Sequence, residues 1–312
     1  MSNGGVFGRV GRRAFLTGCL GAAGLGEVGL RAEAGPELVA STDEFSEGPV
    51  FDREGNLFFT HGRFVSRVTP DGRQEVWTET EGANGHKVLA DGTHLLCAPG
   101  ERAVLHLDAD GKRLGVASDS CDGEPLRAPN DLTLDGRGGV YFSDPGGSRE
   151  RPVGTVHYLD AEGTTHLAAG GMWVPNGLVL SLDGRTLYVA ETVPNRIVRF
   201  AVGEDGSLGE MEWFADLPDR EGHQAEPDGM AIDEAGNVYV AHLGTGKVRV
   251  LTPAGKLWRS LEAGVYDASN LAFGGAAMDE LYVTGSVGHR SRTPGRVYWL
   301  KLPGVRGVPT LR

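Results

Sequence analysis

The hydrophobic pattern along this chain is short-range and alternating, and it repeats. Apolar runs of four to six residues, rich in Val, Leu, Tyr and Phe, are bounded by Gly, Pro and Asp, as in Leu57-Phe58-Phe59-Thr60-His61. Runs of that length and composition predict strands, and no stretch sustains a helical period. Six segments share one order: a polar opener, an alternating run, a turn, then a β-rich run. The openers are Glu47, Asn84, Asn130, Asn176, Asp228 and Asn270. In the first five, a glycine follows eight residues later, at Gly55, Gly92, Gly138, Gly184 and Gly236. The sixth has Met278 there, which predicts a different turn. A second strand pair follows each hairpin, for example Arg196–Val202, Lys247–Leu251 and Arg296–Leu302, with turns such as Pro70-Asp71-Gly72 between. Four-stranded units at a spacing of about 40–50 residues predict an all-β, six-bladed β-propeller. A parallel β-helix has shorter coils than these units. Residues 38–42 are placed to close the ring by adding a strand to the last blade.

The propeller is expected to span 35–312, because 1–34 read as an export signal. Gly11-Arg12-Arg13-Ala14-Phe15-Leu16-Thr17 resembles a twin-arginine motif, and Ala32-Glu33-Ala34 has the form of a cleavage site. Glu27 and the many glycines argue against a lasting membrane span. The expected address is therefore periplasmic or secreted. Of three cysteines, Cys19 would leave with the signal. Cys97 and Cys121 would remain, and an exported protein permits a bridge between them, while a free Cys97 buried in a strand fits at least as well. The net charge is −12; the first 34 residues hold four Arg and two acids, a net +2, which leaves the rest at −14. That balance speaks against a nucleic-acid partner.

Rotation about the propeller axis brings equivalent positions of successive blades to one mouth of the central channel. All six openers carry a side-chain oxygen, and two are acids. Converging carboxylate and amide oxygens without thiolates suit a hard cation such as Ca²⁺, with Mg²⁺, Mn²⁺ or Zn²⁺ as other divalent choices. Taken singly, Pro-Asn-Gly or Pro-Asp-Gly is an ordinary turn; six in one register carry the metal reading. Residues fourteen or fifteen after the openers lie beside them on the returning strand. His61, Asp144, Glu191 and His242 stand there, as groups that orient the ligands, as acid/base groups, or as solvated strand ends. His86 and His94 read as structural or surface residues.

With these openers in view, the chain resembles the gluconolactonase and regucalcin-like family of propeller enzymes, with paraoxonases and diisopropyl-fluorophosphatases more distant. The likeness covers roughly 44–302. It rests on Ser46-Glu47-Gly48-Pro49, Pro129-Asn130-Asp131 with Tyr141-Phe142-Ser143-Asp144-Pro145, Val174-Pro175-Asn176-Gly177, Pro227-Asp228-Gly229-Met230 and Ser269-Asn270-Leu271-Ala272-Phe273-Gly274-Gly275. The resemblance implies a divalent cation, usually calcium, held by Glu47, Asn176 and Asp228, with Asn130 direct or through water. It implies a small-molecule lactone as substrate, with Asn84, Asn130, Asn270 and Arg127 as the candidate contacts. Arg127 stands one residue further from the Asn than in regucalcin-like members. Asp228 is the expected general base, with nucleophile as its other reading, and His242 the expected proton shuttle. Two other readings fit the same residues: an ester or phosphotriester hydrolase, and a non-catalytic sugar- or protein-binding propeller with structural calcium.

Overall fold

A computed structural model describes residues 35–218, 225–288 and 293–309; the export-signal expectation lies outside them. Among the described residues there is no α-helix, and six four-stranded antiparallel sheets follow one another along the chain. Blade 1 runs Ser46–Phe51, Leu57–His61, Phe64–Val68, Gln74–Glu79. Blade 2 opens with His86–Val88 and blade 3 with Leu132–Leu134, both only three residues long. The inner strands of blades 4 and 5 are Pro175–Leu180 and Glu226–Ile232. Blade 6 has Asp267–Gly274, Glu280–Ser286 and Gly295–Lys301, and its fourth strand is Glu37–Thr42 from the beginning of the propeller. The ring is thus closed by hydrogen bonding between the two ends of the domain, as expected for 38–42.

The core lies between blades. Tyr188, Ala190 and Ile197 of blade 4 pack on Met230, Val238 and Val240 of blade 5. Across the closure, Ala40 and Val297 of blade 6 pack on Leu57 and Phe59 of blade 1. Each fully buried aliphatic or aromatic side chain contributes about 1.5–3 kcal/mol, so every blade depends on both neighbours. The two cysteines are free, which removes the disulfide option.

The glycines at the hairpin turns have positive φ, from 67° at Gly184 to 100° at Gly138. Met278 adopts the same conformation, with φ 54°. Its N–H donates to the carbonyl of Gly275 at 3.0 Å, just as Gly236 donates to Asp233 at 2.9 Å. The sixth turn shares that bond but differs, as expected, at its start: Gly275 has φ 76°, whereas the equivalent Asp233 is not in the left-handed region. Met278 carries the left-handed strain that glycine avoids.

Candidate active site at the channel mouth

Four inner strands change register where the openers stand. The irregularities fall between Glu47 and Val50, Pro175 and Leu178, Pro227 and Met230, and Ala268 and Asn270. A β-bulge re-aims the side chains at it, and here the bulges hold or border Glu47, Asn176, Asp228 and Asn270. In blades 2 and 3 the regular ladder begins only after Asn84 and Asn130.

Glycine next to the opener lets neighbouring blades approach. A Cβ on Gly48 would stand 2.3 Å from the Asn84 carbonyl oxygen, and one on Gly177 2.3 Å from that of Asp228. A Cβ on Gly229 would stand 2.1 Å from the Asn270 side chain. At these three junctions the residue after one opener leans on the next opener, by its backbone twice and by its side chain once.

Glu47, Asn84, Asn130, Asn176 and Asp228 line one cavity of about 400 Å³ at this mouth. Glu47 is pushed up to about 7, first by burial and then by the charge of Asp131, against hydrogen bonds from Gly48, Asn270 and Ser269. Asp228 is raised well above the usual carboxylate range, again by burial first, then by Glu47, Asp131 and Glu226, with Asn176 opposing. Asn176 Nδ2 donates to Thr192 Oγ1 at 3.5 Å, and that hydroxyl donates to the Pro227 carbonyl at 3.2 Å. A hydrogen bond from Asn176 to carboxylate also uses Nδ2, so Oδ1 is left to accept or to ligate.

Among the described residues, no three His, Cys, Asp or Glu side chains form a metal cluster. The set at the mouth is two carboxylates and amides. Its chemistry nevertheless fits a hard cation, because two buried acids repel each other and their protonated forms are favoured until positive charge arrives. Glu47, Asn176, Asp228 and Asn130 are the residues that would hold it.

The neighbouring ring is chiefly a backbone brace. Asp144 accepts from the N–H groups of Arg127 at 2.7 Å and Ala128 at 3.0 Å, just ahead of Asn130. Glu191 accepts from Trp173 N–H at 2.7 Å, just ahead of Asn176, and from Arg196 Nε at 2.7 Å. Between them, Val174 is held at φ 52°, a strained value for a β-branched residue, and it lines the cavity. His61 bonds Ser66 Oγ at 2.8 Å.

Three residues stand elsewhere than expected. His242 is fully buried and does not line the cavity; its Nε2 meets Asn195 Oδ1 at 2.9 Å and its Nδ1 accepts from Arg249 Nε at 3.1 Å. Burial, then the Arg249 charge, lower its pKa to about 3, so the ring is neutral with both nitrogens engaged. That geometry makes it a structural link rather than a shuttle. Asn270 is buried; its Oδ1 accepts from Leu271 N–H at 2.8 Å and its Nδ2 donates to Asp131 at 3.3 Å. Arg127 Nη1 donates to the Val153 carbonyl at 2.9 Å, and Arg127 is not among the lining residues. His86 and His94 are, as read, structural: buried, and bonded to each other at 2.8 Å beside Trp77.

Sequence reasoning missed Asp131, Thr192, Arg149 and Glu226. Asp131 had a visible signal, since it stands where four openers are followed by glycine. It is buried, near Lys87 Nζ at 3.9 Å, and its charge acts on both Glu47 and Asp228. Arg149 comes from a connecting segment, where no repeat register points to it, and Glu226 begins the inner strand of blade 5, two residues before its opener, where the other blades carry no acid.

A six-bladed propeller with carboxylate and amide oxygens gathered at one mouth is the class these features define. Residues 45–287 match the model of the SMP-30/Gluconolactonase/LRE-like region, and the chain belongs to that family. It is 29% identical over 252 residues to a gluconolactonase of Zymomonas mobilis, covering 70% of each chain. With the pentonolactonase XacC of Haloferax volcanii it shares 28% over 268 residues, 83% of this chain and 87% of that one. A solved gluconolactonase of Xanthomonas campestris superposes with TM-score 0.72 at 28% identity, covering 87% of this chain and 96% of the other.

Proposed function

We propose that the protein is a calcium-dependent lactone hydrolase whose metal ligands are Glu47, Asn176 and Asp228, with Asn130 completing the protein's share. The observation that carries this reading is the pair of buried acids, Glu47 and Asp228, facing one open cavity without a dedicated counter-charge. The names of the relatives, gluconolactonase and pentonolactonase, support the reaction class, and a sugar lactone is the substrate we infer.

A bound calcium ion supplies positive charge that polarises a carbonyl and offsets the burial of the acids. Three or four protein oxygens are fewer than the six to eight such an ion takes, which leaves room for substrate and water. Asp228 acts as general base: it accepts a proton from water as the water oxygen bonds to the carbonyl carbon. The ring C–O bond then breaks, and the departing ring oxygen takes that proton, giving a hydroxy acid. Glu47 holds its carboxylate fixed through Gly48 N–H at 3.0 Å. Thr192 keeps the Asn176 amide from rotating. The N-terminal residues, with their twin-arginine-like motif, support export as the route to a periplasmic or secreted address.

Exhaustive chelation is expected to abolish lactone hydrolysis, with calcium restoring it. Unchanged hydrolysis after chelation would remove the basis of the proposal.

A further inference from the structure

We propose that Arg149, clamped by Glu226, is the specificity-determining residue that grips the substrate's hydroxyl groups; this rests on the hydrolase reading above. The sequence offered Arg127 for such a grip, three residues before Asn130. Its guanidinium instead bonds the Val153 carbonyl at 2.9 Å and does not line the cavity. Arg149 does. It stands in residues 145–153, which join the second and third strands of blade 3, and it crosses to blade 5, where its Nη2 donates to Glu226 Oε1 at 2.8 Å. Arg127 thus pins the base of the loop that carries Arg149.

Among the described lining residues Arg149 is the one cation, and Glu226 is separated from Asp228 only by Pro227. The clamp therefore holds the guanidinium at the wall of the cavity that Asp228 also lines. A guanidinium has five N–H donors in a rigid fork, and the bond to Glu226 uses one. The Arg149 side chain is 41% exposed against 8% for Glu226, so the buried carboxylate anchors and the guanidinium reaches into the cavity.

Hydrogen-bonding geometry decides which substituent is read. The bond to Glu226 Oε1 leaves other N–H groups of Arg149 facing the cavity, and a calcium ion on Glu47 and Asp228 would offset the charge of those two acids. A neutral hydroxyl can accept from those N–H groups, so Arg149 fits a polyhydroxylated lactone.

The test compares glucono-δ-lactone with δ-valerolactone, which lacks hydroxyls, using calcium-loaded wild type, Arg149→Met and Arg149→Lys. Losing a charge-assisted hydrogen bond should raise KM for glucono-δ-lactone about tenfold or more in Arg149→Met. The loss should fall on KM rather than kcat, and the preference for the hydroxylated lactone should shrink by the same factor. Arg149→Lys should lie between, since it keeps charge but not the fork. Thermal melting reports whether either variant is folded, and the half-exposed site makes that the expected result. A preference unchanged in folded Arg149→Met, or a loss confined to kcat, would overturn the proposal. Wild type inactive on both lactones would instead remove the hydrolase reading, and the proposal with it.

Discussion

Blades 1, 4 and 5 and blades 2 and 3 present the same kind of opener to the same cavity, but by different backbones. In the first group the opener stands inside a bulged inner strand, paired on both sides of the irregularity. In the second the opener precedes a strand of three residues. A bulge adds twist and fixes the aim of the residue it carries, while Asn84 and Asn130 are each tied to the returning strand by one backbone bond, to the carbonyls of Cys97 and Ser143 at 2.9 Å. The three proposed principal ligands stand in such strands, and so does Asn270 of blade 6, whose amide is engaged by Leu271 N–H and Asp131. The repeat thus supplies six oxygen-bearing positions, and register irregularity together with each side chain's own hydrogen bonds distinguishes among them.

The largest effect should come from the bulged acids. Asp228→Asn is expected to lower kcat by about 10²–10⁴-fold, the range for loss of a general base, measured with a chromogenic or pH-indicator lactone assay. Asn176→Ala should weaken calcium by at least about tenfold, the cost of disturbing even an outer partner of a metal site, whereas Asn84→Ala in blade 2 should change calcium affinity less. Equal losses in these two variants, read by calcium titration, would erase the distinction between the two groups of blades.

Interlocking at the axis gives the next effect, on stability. Gly177→Ala places a Cβ against the Asp228 carbonyl, and overpacking of that kind costs about 1–3 kcal/mol. Denaturant unfolding should show it. Gly92→Ala, where a Cβ meets nothing within 4 Å, should cost only the strain of its positive φ, 86°.

A smaller effect should appear in the pH dependence of the calcium-free protein. Glu47 has its pKa raised from 4.5 to about 7 in the folded state. Between those values the folded state binds more protons than the unfolded, so its stability falls as pH rises through that window. Asp228, also raised, acts in the same direction. The melting temperature without metal should therefore fall from pH 4.5 to 7, and saturating calcium should remove that slope.

Much of this was legible in the sequence, because a propeller repeats its grammar. The spacing of opener and turn glycine marked five hairpins, the opener Asn270 the sixth, and residues 38–42 the closure. The register also brought Glu47, Asn84, Asn130, Asn176 and Asp228 to one cavity. What the repeat does not encode was missed or misplaced. Arg149 reaches the cavity from a connecting loop. His242 shares the spacing of Asp144 and Glu191, yet its ring is turned to Asn195 and Arg249, a matter of packing between blades 4 and 5. Met278 shows the limit of reading turns by residue type, since backbone pairing of Gly274 with Glu280 holds it in a conformation its side chain disfavours. Met278→Gly should relieve strain of about 1–2 kcal/mol, less whatever its packing against the core contributes.

Calcium titration by calorimetry, on metal-stripped wild type and Asp228→Ala, bears most directly on whether the bulged openers build one cation site. Wild type is expected to bind calcium with a saturable heat, and the folded variant to lose it. Binding of undiminished affinity by Asp228→Ala would contradict the account.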